Sequence, residues 1–185
     1  MADFQHLGDR LAHQGHIWKV VTASYVAPDG TEFQRDVVRS PGAVGVVPLL
    51  RGGDGTPMVR LLQQYRPPYD RMIIEIPAGM RDVPGEPPVD TGRRELLEEA
   101  GLAAGQMVHL IDLFPSPGMT DSVTNIFLAT DCTPAPPDLQ GPEEQHMVVF
   151  DVSLGEALAM IDSGKIADAK TVTGLLLAHR HLHET

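Results

Sequence analysis

Short apolar runs separated by turn residues fill most of the chain, and their spacing predicts β-strands. Before residue 40, "HIWKVVTASYVA" and "TEFQRDVVRS" carry β-branched residues on either side of Pro28, Asp29 and Gly30, a pattern typical of a β-hairpin. Six further strands are predicted at "GAVGVVPLL", "MVRLLQQYR", "RMIIEIPAG", "QMVHLIDLF", "VTNIFLATDC" and "HMVVFDV".

Helical spacing replaces this pattern in three places. Good helix formers over about residues 89 to 100 stop at Gly101, a residue suited to a left-handed helix terminus. Two more helices are predicted at about 153 to 162 and 168 to 183, with Ser153 and Asp168 as N-caps. Because the strands do not alternate regularly with helices, the pattern indicates an α/β (α+β) protein with a mixed sheet and helices on its faces.

Composition narrows the class of protein. The chain has 185 residues, of which 42% are hydrophobic and 21% charged, as in an ordinary soluble domain. We expect a cytoplasmic protein, because the N-terminus lacks a basic-then-apolar signal pattern and the chain lacks an apolar run of about 18 residues. The single cysteine, Cys132, excludes an intramolecular disulfide and is expected to be a packed, inert thiol.

The net charge limits which kinds of binding partner are expected. A formal charge of −11 without a basic patch argues against nucleic acid as a partner. A small anionic ligand remains compatible with this charge if a metal ion and a few arginines neutralise it locally.

Three carboxylates crowd the first predicted helix. Glu95 lies three and four residues before Glu98 and Glu99, so all three share one helix face. Like charges so placed cost a few tenths of a kcal/mol per pair, and the helix dipole disfavours anions near the C-terminus. Two explanations stand side by side: solvation with pairing to Arg93 and Arg94, or a hard divalent cation of the kind that carboxylates hold beside phosphates.

The surrounding residues extend this cluster into a motif. Glu86, seven further residues and "RELLEEAGL" from Arg94 onward resemble the Nudix box, the signature of hydrolases that cut a nucleoside diphosphate linked to another moiety. The pattern departs from the box at its start, where six residues instead of five separate Gly79 from Glu86 and Met80 takes the formal glycine position. We expect a one-residue insertion in the loop to account for this difference.

The flanks are similar to the ADP-ribose pyrophosphatase branch of that family. "QQYRPPYDRMIIEIPAG" resembles its approach to the box, and "SPGMTDS" resembles its marker loop, with Pro117 fifteen residues after Leu102. The resemblance implies a Nudix-type α/β/α sandwich over residues 41–185 and an N-terminal β-hairpin extension over residues 1–40 that forms a homodimer. It also implies a small-molecule nucleoside diphosphate substrate and no contact with nucleic acid or membrane.

The implied reaction is hydrolysis of ADP-ribose to AMP and ribose 5-phosphate. A broader nucleoside diphosphate-sugar hydrolase is the alternative within the enzyme class. A non-catalytic nucleotide-binding Nudix module is the alternative outside it, and the complete carboxylate set argues against that module, since a sensor has no need of metal ligands.

The resemblance also assigns roles around the helix. Glu95 and Glu99 would bind magnesium, or manganese, together with the backbone carbonyl of Ala78. Glu98 would be a further ligand or hold a water. Arg94 would orient the carboxylate of Glu86, and an ordinary structural Arg–Glu pair fits the same residues.

The general base and the substrate contacts lie further from the box. The resemblance favours Glu144 as the base, with Glu143 close behind, and Glu98 follows if neither acts. Arg66, at a strand end, would hold a phosphate. Trp18, in the first strand of the hairpin, would either stack on the base or pack in the core, and Arg39 is a weaker candidate for the same pocket. These three substrate contacts are Arg66, Trp18 and Arg39.

Overall fold

A computed structural model describes residues 3–136 and 146–184, which form two compact units. The first consists of Met1–Gly42 and Phe114–Val123, and the second of Ala43–Leu113 and Thr124–Thr185. The boundary near residue 42 is close to the end of the predicted hairpin extension. The first unit also includes a segment from the middle of the chain.

The first unit contains a three-stranded antiparallel sheet in the order β1-β2-β3. Its strands are β1 (Gln5–Gln14), β2 (Lys19–Val26) and β3 (Glu32–Arg39). The predicted hairpin corresponds to β2 and β3, whose turn places Gly30 at a φ of 87° and closes with its N–H donating to the Ala27 carbonyl. The sequence did not predict β1, because every residue of this strand is exposed and no apolar stripe marks it.

The segment Phe114–Val123 is bonded to the end of β3 within the same unit. The Val38 N–H donates to the Met119 carbonyl at 2.9 Å, and the Thr120 hydroxyl donates to the Val38 carbonyl at 2.7 Å. Asp121 accepts from the Ser40 N–H at 3.0 Å and from Arg39 at 3.1 Å. The marker loop is therefore held in the first unit by backbone and side-chain hydrogen bonds.

The second unit is built on a seven-stranded mixed sheet. Its main path runs β12-β5-β4-β10-β9, with β6 paired to β5 and β7 paired to β4. The pairing of β4 with β10 is parallel, and the other pairings in this sheet are antiparallel. The strands are β4 (Ala43–Arg51), β5 (Pro57–Arg66), β6 (Arg71–Glu75), β7 (Ala78–Met80), β9 (Gln106–Leu113), β10 (Thr124–Thr130) and β12 (Val148–Ser153).

A separate two-stranded pairing joins β8 (Leu102–Ala103) to β11 (Thr133–Pro134). Cys132 lies directly before β11 and is partly buried and free. Burial raises the pKa of its thiol to about 11, which agrees with the expectation of a packed, unreactive cysteine.

Three α-helices occur among the described residues and cover both faces of this sheet. They are α1 (Pro88–Ala100), α2 (Leu154–Asp162) and α3 (Ala169–Glu184). Val46 packs with Leu96 of α1, whereas its neighbour Val47 packs with Leu175 of α3 on the other face. Because β4 is buried on both faces, its sequence is a continuous apolar run, and the predicted α/β/α arrangement is confirmed.

The helix ends agree with their sequence signals. α1 ends at Gly101 with a φ of 61°, the left-handed conformation that glycine adopts without strain. The Ser153 hydroxyl accepts from the Glu156 N–H at 3.1 Å, and Asp168 accepts from the Thr171 N–H at 3.0 Å. Both predicted N-caps are confirmed. None of the helices in the described ranges has the length and apolar character needed to cross a bilayer.

Candidate active site

One cavity of the second unit collects most of the residues that the sequence singled out. It has a volume of about 670 Å³, within the range of small-molecule sites. The end of β5, strand β7 and one face of α1 form its walls. The residues that matter for chemistry are Arg66, Ala78, Gly79, Glu95, Glu98 and Glu99.

Helix α1 places its carboxylates against this cavity because of its amphipathic spacing. Leu96 and Ala100 face the core at 0% and 4% exposure, which turns positions 95, 98 and 99 toward the cavity. Glu95 and Glu99 are themselves only 8% and 6% exposed. Burying two carboxylates is costly unless other groups stabilise their charge, so solvation alone does not account for the cluster.

Gly79 makes room for one of these carboxylates. A Cβ atom at Gly79 would lie 2.0 Å from the Glu95 Cδ, far inside van der Waals contact. Any larger residue at position 79 would thus collide with Glu95, and six residues separate this glycine from Glu86. Gly85 in that loop has a φ of 80°, where glycine is unstrained.

Arg94 joins the carboxylates into a network. Its Nη1 donates to Glu95 Oε1 at 2.8 Å and to Glu98 Oε2 at 3.0 Å, and its Nη2 lies 3.5 Å from Glu86 Oε2. Glu86 also accepts from the Thr91 hydroxyl at 2.7 Å, and this bond together with the nearby charge of Arg94 holds the pKa of Glu86 below the ordinary value. Arg94 is thus close to Glu86, as the resemblance implies, but its hydrogen bonds go to Glu95 and Glu98.

The remaining helix carboxylate is tied to β7. Glu99 Oε2 accepts from the Ala78 N–H at 2.8 Å, and β7 is itself fixed by pairing with β4, where Ala78 is opposite Gly45. This contact brings the backbone of Ala78 to the C-terminal half of α1. The expected donors Glu95, Glu98, Glu99 and Ala78 therefore border the same cavity.

The chemistry of these four donors suits a hard divalent cation. Three carboxylates and a backbone carbonyl are oxygen donors, which suit magnesium or manganese and not a soft metal. Over residues 3–136 and 146–184, no three acidic, histidine or cysteine side chains converge in metal-ligand geometry. Two of the carboxylates are instead bonded to Arg94, so their side chains would have to turn to share one cation.

Arg66 borders the cavity with an acidic partner that the sequence analysis did not single out. Its Nε and Nη2 donate to Glu75 Oε1 and Oε2 at 2.6 and 2.8 Å. Glu75 is 2% exposed and is also bonded to Lys170 of α3. A lone acid within the apolar run "RMIIEIPAG" is the feature that could have drawn attention to Glu75.

Two neighbours of Arg66 on β5 also line the cavity. Gln64 is almost fully buried, and Tyr65 donates its hydroxyl to Asp70 Oδ1 at 2.6 Å. This bond raises the pKa of Tyr65, which holds the phenol in its neutral donor form. Neither residue was expected from the sequence, because they lie on a strand whose pattern indicates only a core element.

The two proposed nucleoside contacts belong to the first unit. Arg39 donates to Asp9 at 2.9 Å as well as to Asp121, and it borders a cavity of about 460 Å³ with Tyr25 and Phe33 among its walls. Trp18 lies in the turn before β2 and not in the strand itself, with the Gly15 N–H donating to its carbonyl. It is 53% exposed, so the core-packing interpretation of Trp18 is wrong.

The two favoured general bases, Glu143 and Glu144, lie outside the described residues. Their role stays a prediction from the resemblance. The other residues assigned from the motif lie on α1, the loop before it, β5 and β7, all within the second unit.

The fold is that of a Nudix domain, and a family comparison agrees. The NUDIX domain model matches residues 39–180, so the chain belongs to the Nudix family. It is a Nudix pyrophosphohydrolase, an enzyme class that generally uses a divalent metal.

Three similar proteins are 29% to 34% identical to this chain over the aligned residues. An ADP-ribose pyrophosphatase of Mycobacterium tuberculosis is 34% identical over 177 residues, 96% of this chain and 84% of the relative. An ADP-ribose pyrophosphatase of Bacillus subtilis is 34% identical over 78% of this chain and 75% of its own. A GDP-mannose pyrophosphatase of Yersinia enterocolitica is 29% identical over 88% of this chain and 86% of its own.

A solved structure is also similar in fold. The crystal structure of an ADP compounds hydrolase superimposes with a TM-score of 0.82 over 98% of this chain and 95% of that chain, at 20% identity. This likeness supports the fold assignment alone. The relatives differ in the sugar nucleotide they are named for, so the comparisons define the reaction class and not the sugar.

Proposed function

We propose that this protein hydrolyses the diphosphate of ADP-ribose to give AMP and ribose 5-phosphate. The observation that carries the proposal is that buried Glu95 and Glu99 border the same cavity as Glu98, Ala78 and Arg66. The two 34% identical relatives named ADP-ribose pyrophosphatase favour this substrate over others of the class.

Glu95, Glu99 and the Ala78 carbonyl would hold magnesium or manganese, with Glu98 as a further ligand or as the holder of a water. When bound, such a cation neutralises diphosphate oxygens and lowers the pKa of a coordinated water. Arg94 orients Glu95 and Glu98 by donating to both carboxylates.

Arg66 and an acidic residue of the 137–145 segment complete the proposed reaction. Arg66 binds a phosphate oxygen with the part of its guanidinium that Glu75 leaves available, a charge-assisted contact. A water attacks one phosphorus, its proton passes to Glu144, and the bond from that phosphorus to the bridging oxygen breaks. The proposed base is Glu144 because the helix carboxylates, as cation ligands, are poor proton acceptors.

A panel of nucleoside diphosphate compounds assayed with magnesium tests the substrate. We expect ADP-ribose to be cleaved with the highest kcat/KM and to yield AMP and ribose 5-phosphate in equal amounts, identified by chromatography. Equal or better cleavage of GDP-mannose would contradict the assignment to ADP-ribose.

A nucleoside diphosphate-sugar hydrolase with another preferred sugar is the second candidate. The similarity to a GDP-mannose pyrophosphatase over 88% of this chain favours it. Trp18 and Arg39 are our proposed contacts to the nucleoside, so Trp18→Ala and Arg39→Gln are expected to raise KM more for the preferred nucleotide than for a poor one. A uniform effect on all nucleotides would argue against base recognition by these residues.

A further inference from the structure

Glu75 binds one edge of the Arg66 guanidinium. Nε and Nη2 are both bonded to Glu75, and the side chain is 38% exposed at the cavity wall. A bidentate pair of this kind fixes both the direction and the plane of the fork. The Nη1 group is the part of the fork that Glu75 does not engage.

The partner carboxylate is buried and doubly paired. Glu75 lies at the end of β6, 2% exposed, and its Oε2 accepts from both Arg66 and Lys170. Burial alone raises the pKa of Glu75, but the Arg66 hydrogen bonds and the charge of Lys170 outweigh it, so the pKa lies below its ordinary value. Glu75 is therefore ionised at neutral pH.

The second cation comes from the first turn of α3. Lys170 also bonds to Asp168 at 3.1 Å, and Asp168 accepts from the N–H and hydroxyl of Thr171 at 3.0 and 2.6 Å. The Thr171 hydroxyl in turn accepts from the N–H of Ile76, the residue after Glu75. The start of α3 is thus locked to the strand end that carries Glu75.

These charges matter for an anionic substrate. Arg66 and Glu75 taken alone have no net charge, so Glu75 would offset the attraction of Arg66 for a phosphate. Lys170 contributes the second positive charge, and Asp168, its own counter-ion, is bonded to the Thr171 N–H in the first turn of α3, where a negative charge is stabilised. The four charges of this cluster sum to zero, and Lys170 shares the Glu75 carboxylate with Arg66, so the full negative charge of Glu75 does not act against a phosphate at Arg66.

We propose that Glu75 and Lys170 are positioning residues for substrate binding, acting through Arg66: Glu75 sets the plane of the guanidinium, and Lys170 balances the charge of Glu75. The proposal rests on the pyrophosphohydrolase reaction and on Arg66 as a phosphate contact, but not on which sugar nucleotide is preferred. According to this proposal, the start of α3 contributes to substrate affinity through Lys170. None of the described residues that line the cavity belongs to α3.

Lys170→Met tests the proposal, because it keeps the length of the side chain and removes its charge. With whichever sugar nucleotide the wild type cleaves best, we expect KM to rise about tenfold, the size of a weakened charge-assisted hydrogen bond, and kcat to change less than about threefold. Lys170→Arg retains the cation and should restore most of the affinity. Lys165→Met, at an exposed lysine before α3, is the matched control and should leave both constants unchanged.

A double variant separates positioning from direct contact or general loosening. Arg66→Gln should itself raise KM, and adding Lys170→Met to it should change KM by less than about twofold, since the two residues act as one unit. An unchanged KM in folded Lys170→Met or in Arg66→Gln would overturn the proposal. An equal effect of Lys170→Met with and without Arg66 would overturn it as well.

The folding of each variant is checked by circular dichroism and thermal unfolding. Should Lys170→Met not fold, Lys170→Gln replaces it, because its amide can still donate to Glu75, and a smaller rise in KM is expected. Product analysis of the wild type is independent of these variants. If the wild type prefers GDP-mannose, the ADP-ribose proposal fails, while the KM comparison still decides the role of Lys170.

Discussion

At the scale of single residues, the site depends on how closely a carboxylate approaches a strand backbone. Glu95 is 8% exposed and occupies the space beside Gly79 that any larger residue would fill. Arg94 holds the same carboxylate from the other side at 2.8 Å. Small steric changes at this point should therefore affect catalysis before they affect the fold.

Gly79→Ala should remove most of the activity. The new Cβ would displace the Glu95 carboxylate, and misplacing a catalytic group by about 1 Å costs roughly a hundredfold in rate. Because the long side chain of Glu95 can move, the loss in unfolding free energy should stay within about 1–3 kcal/mol. Gly53→Ala, where a Cβ meets open space, is the control. Full activity of Gly79→Ala in a steady-state assay would contradict the geometry.

Glu99→Gln tests the metal role of the helix face. The amide oxygen can still accept from the Ala78 N–H, so the fold should be preserved, while the negative charge needed by a cation is lost. We expect kcat to fall by orders of magnitude at saturating magnesium, with Glu156→Gln, an exposed glutamate of α2, unaffected. Near-normal turnover would show that Glu99 is not a metal ligand.

Glu144→Gln tests the base. Loss of a general base lowers kcat by roughly 10²- to 10⁴-fold, with KM and magnesium dependence nearly unchanged. Glu143→Gln should be mild. If Glu143→Gln instead shows the large fall in kcat, the base is Glu143. If kcat falls by no more than about tenfold in either variant, Glu98 becomes the candidate.

At the scale of elements, strand pairings and helix packing fix the position of the backbone that carries the site residues. β7 is only three residues long, yet its pairing with β4 places Ala78 and Gly79 beside α1. On the other face, α2 and α3 pack on the sheet through Leu154, Ala157 and Leu175. Their caps should contribute stability without taking part in chemistry, with the start of α3 as the exception proposed above.

Ser153→Ala isolates this contribution at α2. The variant removes the acceptor for the Glu156 N–H, and loss of such a cap costs about 0.5–2 kcal/mol. Urea unfolding should show a lower midpoint at an unchanged slope, while kcat and KM stay at their wild-type values. Ser153→Asp, which restores a capping acceptor, should recover the midpoint; failure to do so would point to a cause other than the cap.

At the scale of the whole molecule, the first unit exposes apolar side chains that could pack against a second copy of the chain. Its exposed large apolar side chains among the described residues are Phe4, Leu7, Leu11, Ile17, Trp18, Phe114 and Met119. A small sheet with such a surface is poorly stabilised alone, and contiguous exposed apolar groups commonly mark interfaces. We propose that this unit forms the homodimer that the family resemblance implies.

Light scattering at micromolar concentration measures this directly. We expect a mass of twice the 20.0 kDa chain, and a return toward the single-chain mass in Leu11→Glu, which puts a charge on the exposed face of β1. Leu176→Glu, at an exposed position of α3 in the second unit, is the control and should leave the mass doubled. A wild-type mass near 20 kDa would refute the dimer.

Local patterns in the sequence determined much of this molecule. The helical spacing of residues 89 to 100, its end at Gly101 and the shared face of its carboxylates follow from the helix period alone. The strands β2, β4 and β10 and both N-caps could likewise be predicted, because apolar periodicity and capping involve residues within a few positions of each other. The Nudix motif itself was identified from its resemblance to the box, through Glu86 and the residues from Arg94 to Leu102.

Tertiary structure alone decided the contacts between distant residues. Arg66, Glu75 and Lys170 meet only because β6 pairs with β5 and α3 begins beside that strand end. The contact of Gly79 with Glu95 likewise requires β7 to lie against α1. β1 shows the same limit, since its exposed residues carry no apolar period and its pairing with β2 makes it a strand. A sequence pattern records local periodicity and burial, whereas these interactions depend on which elements pack together in space.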